Sequence, residues 1–273
     1  MIMRKNLCVI AMVMCGPAAA LAQPVASTVH SLAADEARQG VTSDGTYVYA
    51  VDNSRIGKYE IASGVRVAKW EGARALYPHT NACALYARRL YCAASNSPAV
   101  PMTSSVEVFD PAAMTHLATI ALGPGTGSLT WVDRRGDSWW AGFANYDGKG
   151  GEPGRDHRYT TVVRFDSEWR RQEAWLLPQD VLDRMAPMSN SGGAWGDDGL
   201  LYLTGHDRPE LYALALPEAG ATLKLVATIA IPFEGQAIAW DPKEKRVLWG
   251  ISRKNRKAIA VKVPAIKVSD AAR

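Results

Sequence analysis

The sequence predicts an all-β fold, a five-bladed β-propeller closed by an N-terminal strand, and three observations lead to this prediction. A unit of roughly forty-five residues recurs five times, which is the spacing of propeller blades. Each copy begins with a short strand of small residues, and a tight turn leads from it into an aromatic-rich strand. A further β-type segment, residues 27–33, precedes the first copy. The five openings read Gln39-Gly40-Val41-Thr42, Asn81-Ala82-Cys83-Ala84, Gly127-Ser128-Leu129-Thr130, Gly192-Gly193-Ala194-Trp195 and Gln236-Ala237-Ile238-Ala239.

Each of the first four copies contains four short β-branched or aromatic runs separated by turn residues. The predicted strands are 39–42, 47–51, 57–61 and 65–70 in blade one; 82–86, 90–94, 105–109 and 116–121 in blade two; 128–132, 138–144, 161–165 and 172–177 in blade three; and 193–195, 200–204, 210–216 and 224–231 in blade four.

Blade five contains only three predicted strands, 237–240, 247–252 and 258–263. We expect 27–33 to supply the fourth, because closing the ring removes an exposed sheet edge. The alternative is six blades, since the third opening is followed by an unusually long interval. That interval is one repeat plus about twenty residues, which we assign to a loop over 145–158 and a short helix over 178–185.

The two ends of the chain are interpreted separately from the propeller. Arg4 and Lys5 precede an apolar stretch, and Ala20-Leu21-Ala22 matches a cleavage site, which predicts a secretory signal peptide. Cys15-Gly16 leaves lipoprotein processing as the alternative. We therefore expect a periplasmic or secreted protein with a signal peptide over 1–22, one propeller domain over 23–264 and a flexible tail over 265–273.

Composition restricts the class of partner. The formal net charge is +4, and removal of Arg4 and Lys5 with the signal lowers it to +2. Since no basic stripe with interleaved aromatic residues is present, nucleic acid is not an expected partner. We expect a small-molecule substrate, no membrane association after signal cleavage, and a monomer. The basic residues of the last copy are interpreted as two solvated turns: Lys243, Lys245, Arg246, Arg253, Lys254, Arg256 and Lys257.

Cys83 and Cys92 are the two cysteines left after signal removal. They flank a predicted hairpin with Ala87 and Arg88 as its loop residues, which places the two cysteines opposite each other in a non-hydrogen-bonded pair. A disulfide there fits an oxidising compartment, and two buried free thiols fit the spacing equally.

The connections between strands differ in composition on the two faces of the predicted ring. We label the four strands of a blade A to D from the centre outward. The connection from strand D of one blade to strand A of the next lies on the same face as the B–C connection within a blade. The A–B and C–D connections lie on the other face. The second set has the composition of ordinary turns, and we call its side the short-turn face. The first set is longer and richer in polar residues, and defines the long-loop face: 52–54, 77–81, 95–104, 145–158, 189–191, 206–208 and 234–236. Because ligands bind where loops converge on a concavity, the site is predicted at the mouth of the central channel on the long-loop face.

His206 and His79 are the predicted acid–base residues, since histidine titrates near neutral pH, and Glu234 is a third candidate. The structural alternative is that each histidine caps a strand and that Glu234 is a surface acid. The predicted substrate-binding residues are polar side chains of the same loops: Asn53, Asn81, Asn96, Asn145, Arg155, Asn190 and Gln236. Asparagine is also common in turns, and the loop that carries Arg155 could be a solvated lid.

No cofactor is predicted. The sequence contains no His-x-x-His or Cys-x-x-Cys pair, no carboxylate-rich loop and no serine-nucleophile elbow. A calcium site would require acids from different blades, and the acids near the long-loop face are Asp52, Asp156, Asp207 and Glu234.

Several segments resemble a family of secreted bacterial propellers commonly labelled cycloisomerases. They are Ser95-Asn96 with Pro101 to Glu107, Gly127 to Trp131, Ser189 to Gly196, Thr204 to Asp207, and Gly235-Gln236 before Ala239-Trp240-Asp241. A more distant resemblance is to the plant-type glutaminyl cyclases, which are five-bladed. Gln39-Gly40-Val41 is similar to the opening of that family's first blade. That family has a Glu at the end of its second strand, where this chain reads Val51-Asp52-Asn53.

These observations predict an enzyme that acts on a small polar substrate by histidine acid–base chemistry, as an isomerase, lyase or lactone hydrolase. The alternatives are a glutaminyl-cyclase-like acyltransferase and a non-catalytic propeller that binds a ligand or a protein. Convergence of His79, His206 and Glu234 on one pocket would favour the enzyme.

Overall fold

The computed structural model describes residues 23–148 and 150–266, and in them twenty strands form five four-stranded antiparallel sheets. The predicted five-bladed propeller is confirmed, and the six-bladed alternative is not found. The predicted signal peptide and residues 267–273 of the predicted tail lie outside the described residues. Across the described ranges, no helix combines the length and the apolar character that crossing a bilayer demands.

The first two blades follow the predicted meander. After β1 (Ser27–Ala33), blade one contains β2 (Gly40–Ser43), β3 (Tyr47–Asp52), β4 (Arg55–Glu60) and β5 (Arg66–Glu71). Blade two contains β6 (His79–Tyr86), β7 (Arg89–Ser95), β8 (Thr103–Asp110) and β9 (Thr115–Pro124).

The predicted extra residues lie in two places, a loop within blade three and a helix between blades three and four. Blade three contains β10 (Ser128–Arg135), β11 (Ser138–Ala144), β12 (Thr161–Phe165) and β13 (Arg171–Leu176). The long loop after β11 ends in a 3₁₀ turn (His157–Tyr159), and the helix α1 (Gln179–Met185) follows β13 with Pro178 at its N-cap. Blade four contains β14 (Gly192–Trp195), β15 (Leu201–Thr204), β16 (Glu210–Ala215) and β17 (Lys224–Ala230).

Blade five is completed by the N-terminal strand, as predicted. Its strands from the centre outward are β18 (Ala239–Trp240), β19 (Val247–Ser252), β20 (Lys257–Lys262) and β1. The connection from β1 into blade one is fastened by Glu36, which is 1% exposed. Its carboxylate accepts hydrogen bonds from the Tyr59 hydroxyl at 2.5 Å and from Arg66 Nη1 at 3.0 Å. The buried charge is therefore neutralised across the seam between blades five and one.

The β6–β7 hairpin carries Cys83 and Cys92. Ala87 and Arg88 are its loop residues and both have positive φ, at 46° and 59°, as a two-residue hairpin turn requires. Cys83 lies directly opposite Cys92 in the register, and a disulfide joins them. The bond fixes the register of the innermost pair of strands in blade two.

The core lies between the blades, and Trp131 shows how the sequence achieves this. Its indole is fully buried in a cluster that also contains residues of blades two, four and five. Gly193 of the adjacent blade must be glycine, since a Cβ there would lie 2.4 Å from the ring. Burial of such a ring removes a large apolar surface from water and locks neighbouring blades together.

Candidate functional site

On the long-loop face, loops of blades four and five and the connection into blade one line a shallow, open cavity of about 310 Å³, which we call the Arg253 cavity. Its lining residues are Arg38, His206, Asp207, Glu234, Arg253, Lys254 and Arg256. His206 and Glu234, two of the three predicted acid–base residues, therefore face the same space. His79, at the start of β6, is close enough for a charge on His206 to oppose its protonation.

The loop that carries His206 is held by the connection between blades four and five. Gly235 passes so close to this loop that a Cβ on it would lie 1.9 Å from the carbonyl oxygen of Gly205. The next residue, Gln236, has φ of 139°, a conformation that residues other than glycine rarely adopt. The Gln236 amide donates to the His206 carbonyl at 3.2 Å, and its own carbonyl accepts from Thr204 Oγ1 at 2.5 Å. Gln236, a predicted substrate-binding residue, thus fixes the backbone of His206.

The hydrogen bonds of His206 define its protonation state. Its Nδ1 lies 2.5 Å from Asp207 Oδ1, and its Nε2 lies 3.0 Å from Arg253 Nη1. A guanidinium can only donate, so Nε2 is an acceptor and Nδ1 carries the proton that the carboxylate accepts. Burial lowers the pKa of His206 below 6.5 against the opposing effect of Asp207, and Arg253 lowers it further. At neutral pH the imidazole is therefore a neutral base whose lone pair is on Nε2.

His79 belongs to a second chain of hydrogen bonds. Its Nδ1 donates to Asn53 Oδ1 at 3.0 Å, and the Asn53 amide donates to Asp52 Oδ1 at 3.1 Å. The Gln39 amide donates to the same Asn53 oxygen at 3.2 Å, which fixes the orientation of the Asn53 side chain. Burial, assisted by the charges of His206 and Arg253, lowers the pKa of His79 to about 4. His79 is thus neutral across the physiological range.

Glu234 places one carboxylate oxygen in an incomplete environment. Its Oε2 is buried and has no hydrogen-bond partner among the described residues. A buried carboxylate oxygen without a donor is costly, and a ligand hydroxyl or a protonated group would satisfy it. Glu234 thus has an unused acceptor that is buried beside the cavity rather than open to it.

Three arginines of the cavity were missed by the sequence analysis. Arg253 and Arg256 belong to the B–C connection of blade five, which was interpreted as a solvated turn, and Arg38 belongs to the D–A connection into blade one. Arg38 and Arg256 approach the buried Asp52 carboxylate at 3.7 and 3.9 Å. The rule that D–A and B–C connections share a face would have found all three, had it been applied to the closing seam as well as to blades one to four.

Four of the predicted substrate-binding asparagines bond to the protein itself. Asn190 is fully buried and accepts from Trp131 Nε1 at 2.5 Å while its amide donates to two backbone carbonyls. The Asn81 amide donates to the Leu129 carbonyl at 3.2 Å, and Asn96 bonds only within its own loop. The Asn145 amide donates to two carbonyls, but its Oδ1 is buried without a partner among the described residues. None of these four lines the Arg253 cavity.

The blade-three loop forms a separate cluster. One ligand atom each from Asp147, Asp156 and His157 lie within 4.8 Å of one another, the only such group of three found among the described residues. Asp156 forms an ion pair with Arg158, and His157 Nδ1 lies 2.8 Å from Asp147 Oδ1. Arg155, a predicted substrate-binding residue, instead donates to the Gly125 carbonyl. Of the four acids considered for calcium, Asp207 and Glu234 share the Arg253 cavity, whereas Asp156 lies in this cluster and the buried Asp52 is surrounded by arginines.

The axis of the ring is open on the opposite side. A cavity of about 190 Å³ lies on the short-turn face and is lined by the innermost strands of all five blades. On the long-loop face the corresponding strand ends are packed with buried polar side chains such as Asn81, Ser128 and Asn190. The Arg253 cavity is lined by blades four, five and the entry to blade one alone, rather than by all five strands around the central channel.

Comparisons with known proteins bear on the fold. No protein-family model matches the chain, and no curated protein matches its sequence. Among solved structures, a luciferin-regenerating enzyme superposes with a TM-score of 0.51 at 11% identity, over 90% of this chain and 97% of that one. The hydrazine synthase of Kuenenia stuttgartiensis gives 0.47 at 13% identity, over 83% and 71%. The Cps50 (Swd1) β-propeller domain of Myceliophteria thermophila gives 0.42 at 12%, over 80% of each.

The likeness to the luciferin-regenerating enzyme, at 11% identity, supports the fold and says nothing about chemistry. The resemblances to cycloisomerase-labelled propellers and to glutaminyl cyclases stay predictions.

Proposed function

We propose that this protein is a propeller enzyme that acts on a small polar substrate by histidine acid–base chemistry, as an isomerase, lyase or lactone hydrolase. The observation that carries the proposal is the Asp207–His206 pair, whose imidazole lines a cavity of about 310 Å³. A space of this size suits a small metabolite. The signal-like residues 1–22 support a periplasmic or secreted location.

His206 is the proposed general base. Asp207 accepts the Nδ1 proton, which fixes the tautomer and stabilises the imidazolium that forms when Nε2 takes up a second proton. Because the pKa of His206 lies below 6.5, the unprotonated form predominates at neutral pH.

Two uses of this base fit the proposed classes. In an isomerase or lyase, Nε2 removes a proton from a carbon next to a carbonyl. In the isomerase the imidazolium then returns that proton to another carbon of the enolate, and in the lyase the electron pair expels a leaving group, which takes the proton from the imidazolium. In a lactone hydrolase, Nε2 takes a proton from water as its oxygen attacks the carbonyl, and the imidazolium returns that proton to the departing ring oxygen. In each case a substrate hydroxyl that displaced the groups covering Glu234 Oε2 would find a free acceptor there.

The glutaminyl-cyclase-like alternative has less support. The acid at the end of the second strand of blade one is Asp52, which is 3% exposed and lies within ion-pair distance of Arg38, Arg55 and Arg256. A carboxylate that already accepts from or lies beside three guanidinium groups has few free lone pairs with which to reach a substrate proton.

The test is a substrate screen with matched histidine variants. Purified protein is assayed against lactones, unsaturated acids and glutaminyl peptides, and the active substrate is used with His206→Gln and Asp207→Asn. We expect His206→Gln to lower kcat by about 10²- to 10⁴-fold, with a smaller loss for Asp207→Asn.

His116→Gln is the control, since His116 also pairs with a carboxylate, Glu107 at 2.8 Å, but on the outer strands of blade two. Its activity should equal that of the wild type. Unchanged activity in His206→Gln would remove His206 from the mechanism. If a compound binds but none of the tested compounds is turned over, the non-catalytic alternative is favoured.

A further inference from the structure

Arg253 is hydrogen-bonded to the atom that the proposed base must use. Its Nη1 is 3.0 Å from His206 Nε2, and the guanidinium donates to the lone pair there. In the structure the base is therefore masked, and a proton acceptor becomes available only when Arg253 turns away.

Arg253 is also the arginine of this cavity that lacks an acidic partner. Among the described residues, no carboxylate oxygen lies within 4.0 Å of its guanidinium, whereas Arg38 and Arg256 both approach Asp52. Arg253 is partly buried, and burial lowers its pKa. Asp207 and Glu234 stabilise its charge without direct contact, so a partly desolvated cation with no carboxylate of the described residues against it can still gain free energy from a bound anion.

The charges around the cavity favour the same conclusion. Arg38, Arg253, Lys254 and Arg256 line it, against two acids, Asp207 and Glu234. Asp207 is engaged with His206, which leaves the cationic side in excess.

We infer that the substrate carries a carboxylate, that Arg253 binds this group through its guanidinium, and that binding draws Arg253 off Nε2 and so exposes the base. The inference rests on the proposed function for the role of His206, but the binding step stands on the contacts of Arg253 alone. A single free guanidinium matches a planar carboxylate through two parallel N–H···O bonds. Arg38 and Arg256 already form ion pairs with Asp52. Among the described residues, Arg253 is therefore the arginine of the cavity that is free to bind a carboxylate in this way.

The arrangement gives the enzyme a means of selecting its substrate. An acid with a free carboxylate would both dock and unmask Nε2, whereas its neutral ester or amide would leave Arg253 bonded to His206. Discrimination would therefore be expressed mainly in kcat, because the neutral analogue binds to a site whose base is still occupied.

Binding is tested with acetate and inorganic phosphate as probes. Each is titrated into the ¹⁵N-labelled full-length mature protein, and NMR follows the His206 imidazole signals, assigned by their loss in His206→Gln. We expect acetate to shift these signals saturably in the wild type. Arg253→Gln should weaken acetate binding by at least tenfold, and Arg253→Lys should weaken it less, since the charge remains but the fork is lost.

Arg135→Gln is the matched control, because Arg135 is an exposed arginine stacked over Trp195 at 4.1 Å on the short-turn face. Its acetate affinity should equal that of the wild type. The inference is overturned if acetate does not bind the wild type, if Arg253→Gln binds it equally well, or if phosphate binds tenfold tighter than acetate at the same residues. Thermal unfolding of each variant verifies that the fold is retained.

Failure of the two proposals can be distinguished. Acetate binding lost in Arg253→Gln, together with no His206-dependent turnover, would support the anion site and remove the reaction. His206-dependent turnover with an acetate affinity independent of Arg253 would support the reaction and remove the anion site.

Discussion

Acidification should destabilise this protein through His79 in particular. The pKa of His79 is lowered from 6.5 to about 4 in the folded state, chiefly by burial. An unfolded chain exposes this imidazole and binds its proton near pH 6.5. Between the two pKa values the unfolded state therefore holds more protons, so the free energy of unfolding falls as the pH falls.

The magnitude follows from the shift. Each pKa unit corresponds to about 1.4 kcal/mol, so the full loss below the folded pKa is about 3 kcal/mol. Between about pH 7 and pH 5 the loss is about 2 kcal/mol, and above pH 7 the contribution is constant. Such a loss is a large part of the stability of an ordinary domain.

Urea unfolding of the wild type and His79→Gln at several pH values isolates this contribution. Glutamine retains a donor for Asn53 Oδ1 but does not titrate. The wild type should lose about 2 kcal/mol more than the variant on going from pH 7 to pH 5. Thr80→Val, at the next position of β6, removes a buried hydroxyl that has no partner in the described residues, and its pH dependence should match that of the wild type.

NMR titration of the His79 imidazole provides an independent measurement. A midpoint at or above pH 6.5, or identical pH dependence of unfolding in the wild type and His79→Gln, would refute the burial argument.

Three further outcomes are expected. Arg253→Gln should raise the pKa of His206, because it removes a positive charge and a donor to Nε2; NMR titration measures the shift, and an unchanged or lower value would contradict it. Asn190→Ala should cost about 3 kcal/mol in urea unfolding, because three buried bonds lose their partner, against about 1 kcal/mol for Asn96→Ala in its more exposed loop; equal losses would contradict this. Gly235→Ala should displace the His206 loop and lower kcat, since its Cβ would lie 1.9 Å from a carbonyl oxygen of that loop; full activity in a folded variant would count against the loop crossing.

The fold was predictable because its evidence is local. Turn residues and two-residue alternation place each strand, and the hairpin spacing placed Cys83 opposite Cys92. The helix after β13 was signalled by Pro178 at its N-terminus. None of these inferences required knowledge of how distant blades meet.

The site was only partly predictable, since its geometry depends on contacts between blades. His206 and Glu234 were selected by residue type and face, and the structure places both in one cavity. Asparagine type alone did not separate a ligand-facing side chain from Asn190, whose partners are Trp131 and backbone carbonyls. Arg253 was overlooked because its charge resembled that of a solvated turn, and only the structure shows its contact with His206.

Closure of the ring determines when the basic cavity can form. Ser27 of β1 pairs with Lys262 of β20, the last of the described strands along the chain. The outermost strand of blade five therefore cannot dock until β20 has been synthesised. The segment that leaves β1 carries Arg38, and the segment that enters β20 carries Arg253 and Arg256. The basic cavity is therefore assembled by the closing event itself, and a chain whose ends have not met holds no complete site. Loss of the N-terminal strand is therefore expected to disrupt the basic cavity before it unfolds the other four blades.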